Sequence, residues 1–562
     1  MLLFPILCLL PVLSASTDPV LETDIGRFVG KLLTFDSGLQ VDAFYGVPFA
    51  KPPVGPLRFE KPQNAEYVEE REAKTLPKIC IQMDGPFEQS EDCLYLNVYR
   101  PHNKTDTYGY PGFFFIHGGG YQMGYSHQHT TDYVAENYAA QGMTVVIPQY
   151  RVSIYGFAAT ENRAIPGNNG LHDLHKALLF TRRNAKGLYL DNGRITVGGY
   201  SAGAAAASAL SISPLTHDLF SQVVQFSGST FAEWAFSKRG TEHTERVVKI
   251  LGCDAEREVR KCLQGKSLKD INEAVEKAHE FEGQLNFLDY APTVDGDFIP
   301  VDPATLIELA KPKPTLASLT QNEGLLFSIY FPSDGRFWRH GLEQEKKDAF
   351  SVEDFKEHVR TAVVLKKIFG DQHEEVAEEI ANFYLATVDP QQHDKNFFLD
   401  MYAKVFGDIM FAIPQLRELR MKLKAGWTIY HILSTHTAYT KRNFGHVECH
   451  HTTHGIEYEF LFGQGVFGNT TIMTEEDEEY RKLLVGSVVE FVKTGSPKSE
   501  LNPNFVALSP SRPLIYTDLS SEAVIKEPLF GRELEFWDKM SDKLHFDIVF
   551  GVHKDQKKRN EL

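Results

Sequence analysis

This chain is short of positive charge, of cysteine and of tryptophan, and beyond its first residues it has no long apolar run. Against 58 lysines and arginines stand 75 aspartates and glutamates, a net charge of −17. An acidic surface disfavours nucleic acid and anionic membranes as partners. After Met1–Ser16 no stretch reaches the roughly 20 apolar residues of a membrane helix, so no span is expected. No Pro/Ser linker and no repeated period divides the 562 residues, which argues against a tandem array. The six cysteines include Cys8 within the apolar start; without it five remain, an odd number that cannot all pair.

What is present supports a large enzyme. An apolar content of 42% can bury a sizeable core, and large α/β enzymes exceed the usual domain of roughly 150 residues without splitting. Helical patterns alternate with short β-branched runs, which predicts a mostly parallel central sheet flanked by helices. Residues 340–425 are rich in helix formers and read as a helical lid or subdomain. Met1–Ser16 is too short to span a bilayer and ends in Ser14-Ala15-Ser16, as a secretory signal does, although no Lys or Arg precedes its apolar core. Residues 17–553 are then expected to form a single catalytic domain, followed by a basic tail, 554–562.

The sharpest signal is Gly199-Tyr200-Ser201-Ala202-Gly203, which follows Ile195-Thr196-Val197 and opens the small-residue segment Ala204–Ala207. A strand, a sharp turn and a helix of this kind lift a serine hydroxyl clear of a sheet, and the flanking glycines let strand and helix approach. Upstream, Phe113-Phe114-Phe115-Ile116 ends in His117-Gly118-Gly119-Gly120, a glycine loop that exposes backbone N–H donors. Such donors, joined by that of Ala202, suit the anionic oxygen of a tetrahedral intermediate, and each is worth about 3 kcal/mol of barrier. A serine nucleophile needs a base and an orienting acid. In the order Ser, Asp/Glu, His, Glu323 and His454 fit, Glu323 after the strand-like Leu316–Thr320 and His454-Gly455 in a turn before Ile456. From the residues alone, 21 histidines and 75 acids leave other pairs open.

The whole mature chain resembles the type B carboxylesterase and cholinesterase family. The resemblance rests on the elbow, the glycine loop, Phe44–Ala50, Pro53–Phe59, Ser90–Asn97, Tyr150-Arg151-Val152, Gly156-Phe157 and Gly167-Asn168. It implies an α/β-hydrolase fold, with Ser201 as nucleophile, Glu323 as triad acid and His454 as base. It implies further an oxyanion hole from Gly119, Gly120 and Ala202, disulfides Cys80–Cys93 and Cys253–Cys262, and Cys449 as a free thiol. The chain departs from the family pattern at Tyr200, where glutamate is usual, at Leu174 and Phe226, where glutamine is common, and at Ser153 and Ser318, where glycine is frequent. None is a triad or oxyanion position, so altered packing near the site is expected, with the chemistry kept.

The Cys80–Cys93 loop contains no tryptophan, whereas cholinesterases place a choline-stacking tryptophan there. The missing cation–π platform points away from choline esters and toward neutral carboxylic esters. Trp234 matches an acyl-pocket position of the cholinesterases. Family members that act as adhesion proteins lack triad residues, and a lipase would need a mobile apolar lid; these are the alternative readings. Cys449 with His446, His450, His451 and His454 invites a zinc reading, but the spacing is irregular and His454 serves as base, so no metal and no cofactor are expected. Asn103-Lys104-Thr105 and Asn469-Thr470-Thr471 are glycosylation acceptors. Arg559-Asn560-Glu561-Leu562 resembles the retrieval signal of the endoplasmic reticulum lumen, with Asn560 in place of aspartate, and its receptor is an expected partner.

Overall fold

The computed structural model describes residues 18–554, except 84, 105–107, 130, 255–257, 280–283, 331–338, 438–450, 464–472 and 501. Its main sheet has eleven strands. In chain order they are β1 (Lys31–Thr34), β2 (Gln40–Pro48), β3 (Tyr95–Pro101), β4 (Tyr110–Ile116), β5 (Thr144–Pro148), β6 (Leu190–Tyr200), β7 (Gln222–Phe226), β8 (Thr315–Thr320), β9 (Ile429–Ser434), β10 (Tyr516–Leu519) and β11 (Ala523–Lys526). Across the sheet they lie in the order β11-β10-β9-β8-β7-β6-β4-β5-β3-β2-β1. From β5 through β4 and β6 to β10 every pairing is parallel, while both flanks are antiparallel. The central parallel sheet is the α/β-hydrolase core that the sequence predicts.

The apolar runs are explained by position in this sheet. Every residue of β4 and of β8 is buried, as an interior strand covered on both faces requires. Side chains alternate between faces. Phe113, Phe115, Val224 and Ile432 join one hydrophobic cluster, with Leu484 and Phe491 of the helix Glu475–Thr494. Phe114, Ile116, Val197 and Val223 join the other, with Leu171 and Leu178 of the helix Asn169–Arg183 and Leu210 of Ala202–Ile212. Glu475–Thr494 begins where its sequence says it should: Thr474 and Asp477 form a capping box, and four acids in the first turn suit the positive end of the helix dipole.

Asn169–Arg183 is anchored by a buried ion pair. The Arg151 Nε and Nη2 groups donate to the two oxygens of Asp173 at 2.8 and 2.7 Å, and the Arg151 backbone N–H adds a third bond at 3.0 Å. Leu174, one of the departures from the family pattern, is simply buried beside it. Residues 340–425 are helical as expected, ending in the π-turn Asp408–Ala412 and the helix Ile413–Lys424. Among the described residues no helix is long and apolar enough to cross a membrane.

Candidate active site

At the end of β6 the chain turns into the helix Ala202–Ile212 through Ser201, whose φ of 57° and ψ of −124° lie in a region that costs a non-glycine residue about 1–3 kcal/mol. Local bonds hold it there. The Ser201 N–H donates to the Phe226 carbonyl at 2.8 Å, and its own carbonyl accepts from Ala204 and Ala205 at 3.0 Å each. Close packing completes the turn: a Cβ on Gly203 would sit 2.1 Å from the Ile116 carbonyl oxygen, so only glycine lets the helix start this near β4.

Glu323 and His454 arrive from the ends of neighbouring segments. Glu323 follows β8, and His454 lies between β9 and the helix Ile456–Phe462. His454 Nε2 is 3.0 Å from Ser201 Oγ, and Nδ1 is 2.7 Å from Glu323 Oε2. The other carboxylate oxygen of Glu323 accepts from the Thr320 N–H at 2.8 Å and from the Ser227 hydroxyl at 2.7 Å, which fixes the acid toward the imidazole. Three rings enclose the imidazole: Phe411 at 4.3 Å, Tyr200 at 4.9 Å and Phe327 at 5.3 Å between centroids. Phe411 belongs to the π-turn Asp408–Ala412, an irregularity of the kind that often re-aims a side chain at a site.

The glycine loop after β4 faces the elbow. Gly119 has φ 111°, and a Cβ there would meet the Met123 carbonyl oxygen at 2.1 Å; Gly120 has φ 59°. Gln122 braces the loop by donating through Nε2 to the Gly120 carbonyl at 2.8 Å and to the Tyr290 carbonyl at 2.5 Å. The Tyr150 hydroxyl donates to the His117 carbonyl at 3.1 Å, and the two rings stack at 4.4 Å. Burial pushes the His117 imidazole down to about 4, so it is neutral and brings no charge to the loop. The N–H groups of Gly119, Gly120 and Ala202 donate to no backbone carbonyl among the described residues.

Sequence reasoning missed several residues that shape this site. Glu457, one turn after His454, is fully buried; burial and repulsion from Glu323 push its carboxyl up to about 8, so it is neutral at pH 7. The Ser318 hydroxyl donates to Glu457 Oε1 at 2.7 Å, which gives the serine found in place of glycine a specific partner. The available signal was a pair of acids, Glu457 and Glu459, set inside the otherwise apolar and aromatic run Ile456–Phe462. Tyr200, in place of glutamate, packs its ring between His454 and Tyr458. Ser153 keeps a glycine-like φ of 53°, and Phe226 turns its side chain into the core while its carbonyl receives the Ser201 N–H.

Trp234 is buried behind Phe411, 5.5 Å from that ring and 6.4 Å from Tyr121, with Nε1 donating to the Met410 carbonyl at 2.5 Å. Cys80–Cys93 and Cys253–Cys262 are bonded as disulfides. Asn103 is exposed. Asn469, Cys449, His446, His450, Met1–Ser16 and 555–562 lie outside the described residues.

Residues 17–537 match the model of the carboxylesterase family. The chain is 31% identical to gut esterase 1 of Caenorhabditis briggsae over 540 residues, covering 94% of each, and 31% identical to gut esterase 1 of Caenorhabditis elegans over 544 residues, again 94% of each. It is 27% identical to the cocaine esterase of Homo sapiens over 546 residues, 93% of this chain and 92% of that one. A serine elbow, a glycine loop and a histidine bridging serine to glutamate, set on a sheet that the family model spans almost end to end, make this chain a member of the carboxylesterase family, whose enzymes are carboxylic ester hydrolases.

Proposed function

We propose that this chain hydrolyses neutral carboxylic esters in two steps through an acyl-enzyme on Ser201. The observation that carries the reading is His454 within hydrogen-bonding reach of both Ser201 Oγ, at 3.0 Å, and Glu323, at 2.7 Å. Ser201 Oγ attacks the ester carbonyl while His454 Nε2 takes its proton; the carbonyl oxygen becomes anionic and is met by the N–H groups of Gly119, Gly120 and Ala202. Collapse breaks the ester C–O bond, and His454 gives the proton to the departing alcohol. His454 then takes a proton from water, whose hydroxide attacks the acyl carbon, and returns it to Ser201 Oγ as the acid leaves. Glu323 holds the imidazole in the tautomer that presents Nε2 as base and stabilises the imidazolium.

Trp234 and Phe411 are the proposed walls for the acyl group, since Phe411 touches the base and Trp234 backs it. The preference for neutral esters is supported by the Cys80–Cys93 loop, whose aromatic residue is Phe87, packed edge-on against Tyr125 and His127 in place of a tryptophan. In this reading Met1–Ser16 is removed as a secretory signal, residues 17–553 form one catalytic domain, Asn103 and Asn469 carry glycans, and the C-terminal tail returns the enzyme to the endoplasmic reticulum.

The test is turnover of p-nitrophenyl esters of increasing acyl length beside choline esters, with wild type and Ser201→Ala. Fast hydrolysis of the neutral esters, slow hydrolysis of the choline esters and loss of both in the variant is expected. A folded wild type that turns over no ester would point to the adhesion-type reading instead.

A further inference from the structure

A second cluster of metal-binding side chains lies away from the triad. His243 is on the helix Arg239–Ile250, His279 caps the end of the helix Leu268–Ala278, and Asp289 is on the segment that follows. One donor atom from each lies within 4.8 Å of the others. His279 Nδ1 is 2.9 Å from both oxygens of Asp289, and His243 Nε2 is 3.6 Å from Oδ1. All three side chains are at least nine-tenths buried. From this arrangement we infer that His243, His279 and Asp289 bind a divalent zinc-class metal ion, held by two imidazoles and a carboxylate, with water completing the sphere.

Zinc bonds of about 2.0–2.1 Å at tetrahedral angles put neighbouring ligand atoms about 3.3 Å apart. The separations of His279 and His243 from Asp289, 2.9 and 3.6 Å, lie on either side of that value, and all three donor atoms lie within 4.8 Å of one another, so the cluster needs to adjust to seat an ion but not to be rebuilt. His243 is already oriented for the task. Its Nδ1 is 2.8 Å from the Tyr290 hydroxyl, a contact that fixes the ring and leaves Nε2 directed toward Asp289, the arrangement that metal-bound imidazoles usually have. The backbone beside each remaining ligand is clamped: Arg239 Nε donates to the Leu288 carbonyl at 3.1 Å, and Arg246 Nε to the Ala278 carbonyl at 3.0 Å.

A cavity of about 120 Å³, bordered by His243, Asp289, Glu242, Arg239, Arg246 and Lys367, reaches the cluster and gives room for the ion and its water. Its three cations work against a hard ion such as calcium or magnesium, which depends on several carboxylates. A borderline metal bound through imidazole suffers less, and this selects zinc, cobalt or nickel. The ion would tie together the helix Arg239–Ile250, the end of the helix Leu268–Ala278 and the segment that carries Asp289. That last segment also carries Tyr290, whose carbonyl accepts from the Gln122 that braces Gly120, so the metal would stiffen the wall behind the glycine loop.

The experiment uses the full chain, stripped with a chelator and titrated with zinc against a chromophoric competitor, and in parallel with cobalt. One tightly held zinc per chain, intense visible cobalt bands of low coordination number and a raised melting temperature are expected. Tyr290→Phe should weaken zinc about 10- to 100-fold, and His279→Gln at least as much, with the cobalt bands lost in the latter. Should His279→Gln not fold, Tyr290→Phe still decides the matter. Zinc not retained against the competitor, or retained equally by Tyr290→Phe and His279→Gln, would overturn the inference and leave the cluster a hydrogen-bonded His–Asp–His array.

Discussion

Ser201 and the glycine loop owe their positions to the main chain: a φ of 57° at Ser201, a φ of 111° at Gly119, and a helix start so close to β4 that a Cβ on Gly203 would come within 2.1 Å of a carbonyl. His454 and Glu323 owe theirs to side chains, with Phe411, Tyr200 and Phe327 around the imidazole and Ser227 on the carboxylate. Backbone geometry offers no intermediate setting, whereas packed rings can be exchanged and repacked. The nucleophile side should therefore tolerate almost no change, and the base side should absorb changes that keep volume and the Glu323 hydrogen bond.

The strongest challenge to this contrast is chemical. Glu323→Gln keeps the size and the bonds from Thr320 and Ser227 but removes the charge that selects the His454 tautomer; a fall in kcat of about 10,000-fold is expected. A fall of less than tenfold in steady-state hydrolysis would mean that Glu323 does not orient the base. Next comes a paired test of construction. Gly203→Ala should cost about 100- to 1,000-fold in kcat by displacing the Ala202 N–H, together with a lower melting temperature. Phe411→Leu should cost only a few-fold, because an apolar side chain still covers the imidazole. Comparable losses from the two would erase the distinction between the halves.

The last expected effect is on stability instead of turnover and concerns Glu457. Its folded carboxyl titrates near 8, above the ordinary 4.5 of a glutamate, so the native state binds more protons than the unfolded chain between those values. The stability this group contributes is fully present below 4.5 and is lost as pH rises through 8. Glu457→Gln should flatten that decline and gain a few kcal/mol over wild type near pH 8, at most roughly 1.4 kcal/mol for each pH unit separating the folded and unfolded titrations. Chemical denaturation from pH 5 to 8 measures it; parallel curves for the two proteins would show that Glu457 is already ionised.

Legibility in the sequence followed the range of the interactions. The elbow and the glycine loop are local, so strand, glycines and small residues in a few consecutive positions disclosed Ser201, Gly119, Gly120 and Ala202 before any fold was known. The interior strands Phe113–Ile116 and Leu316–Thr320 were legible for the same reason, since a strand covered on both faces is apolar throughout. Glu323 and His454 are 131 residues apart, and family resemblance singled them out from many acids and histidines. The parts played by Ser227, Glu457 and Phe411 were not legible: each acts only because the sheet order and a π-turn bring it against a residue far away in sequence, and even the acids inside Ile456–Phe462 do not say what they face. Tyr200 and Ser318 could be seen as departures, but not what they touch, namely the His454 ring and the Glu457 carboxyl.

The central claim is the covalent intermediate on Ser201. Acid quenching of the enzyme during turnover of p-nitrophenyl butyrate, followed by intact mass and peptide mapping, reads it directly. The account predicts a single butyryl group on the peptide holding Ser201, which disappears when substrate is exhausted and never forms in Ser201→Ala. Ester hydrolysis with no adduct, or with the acyl group on another residue, would contradict it.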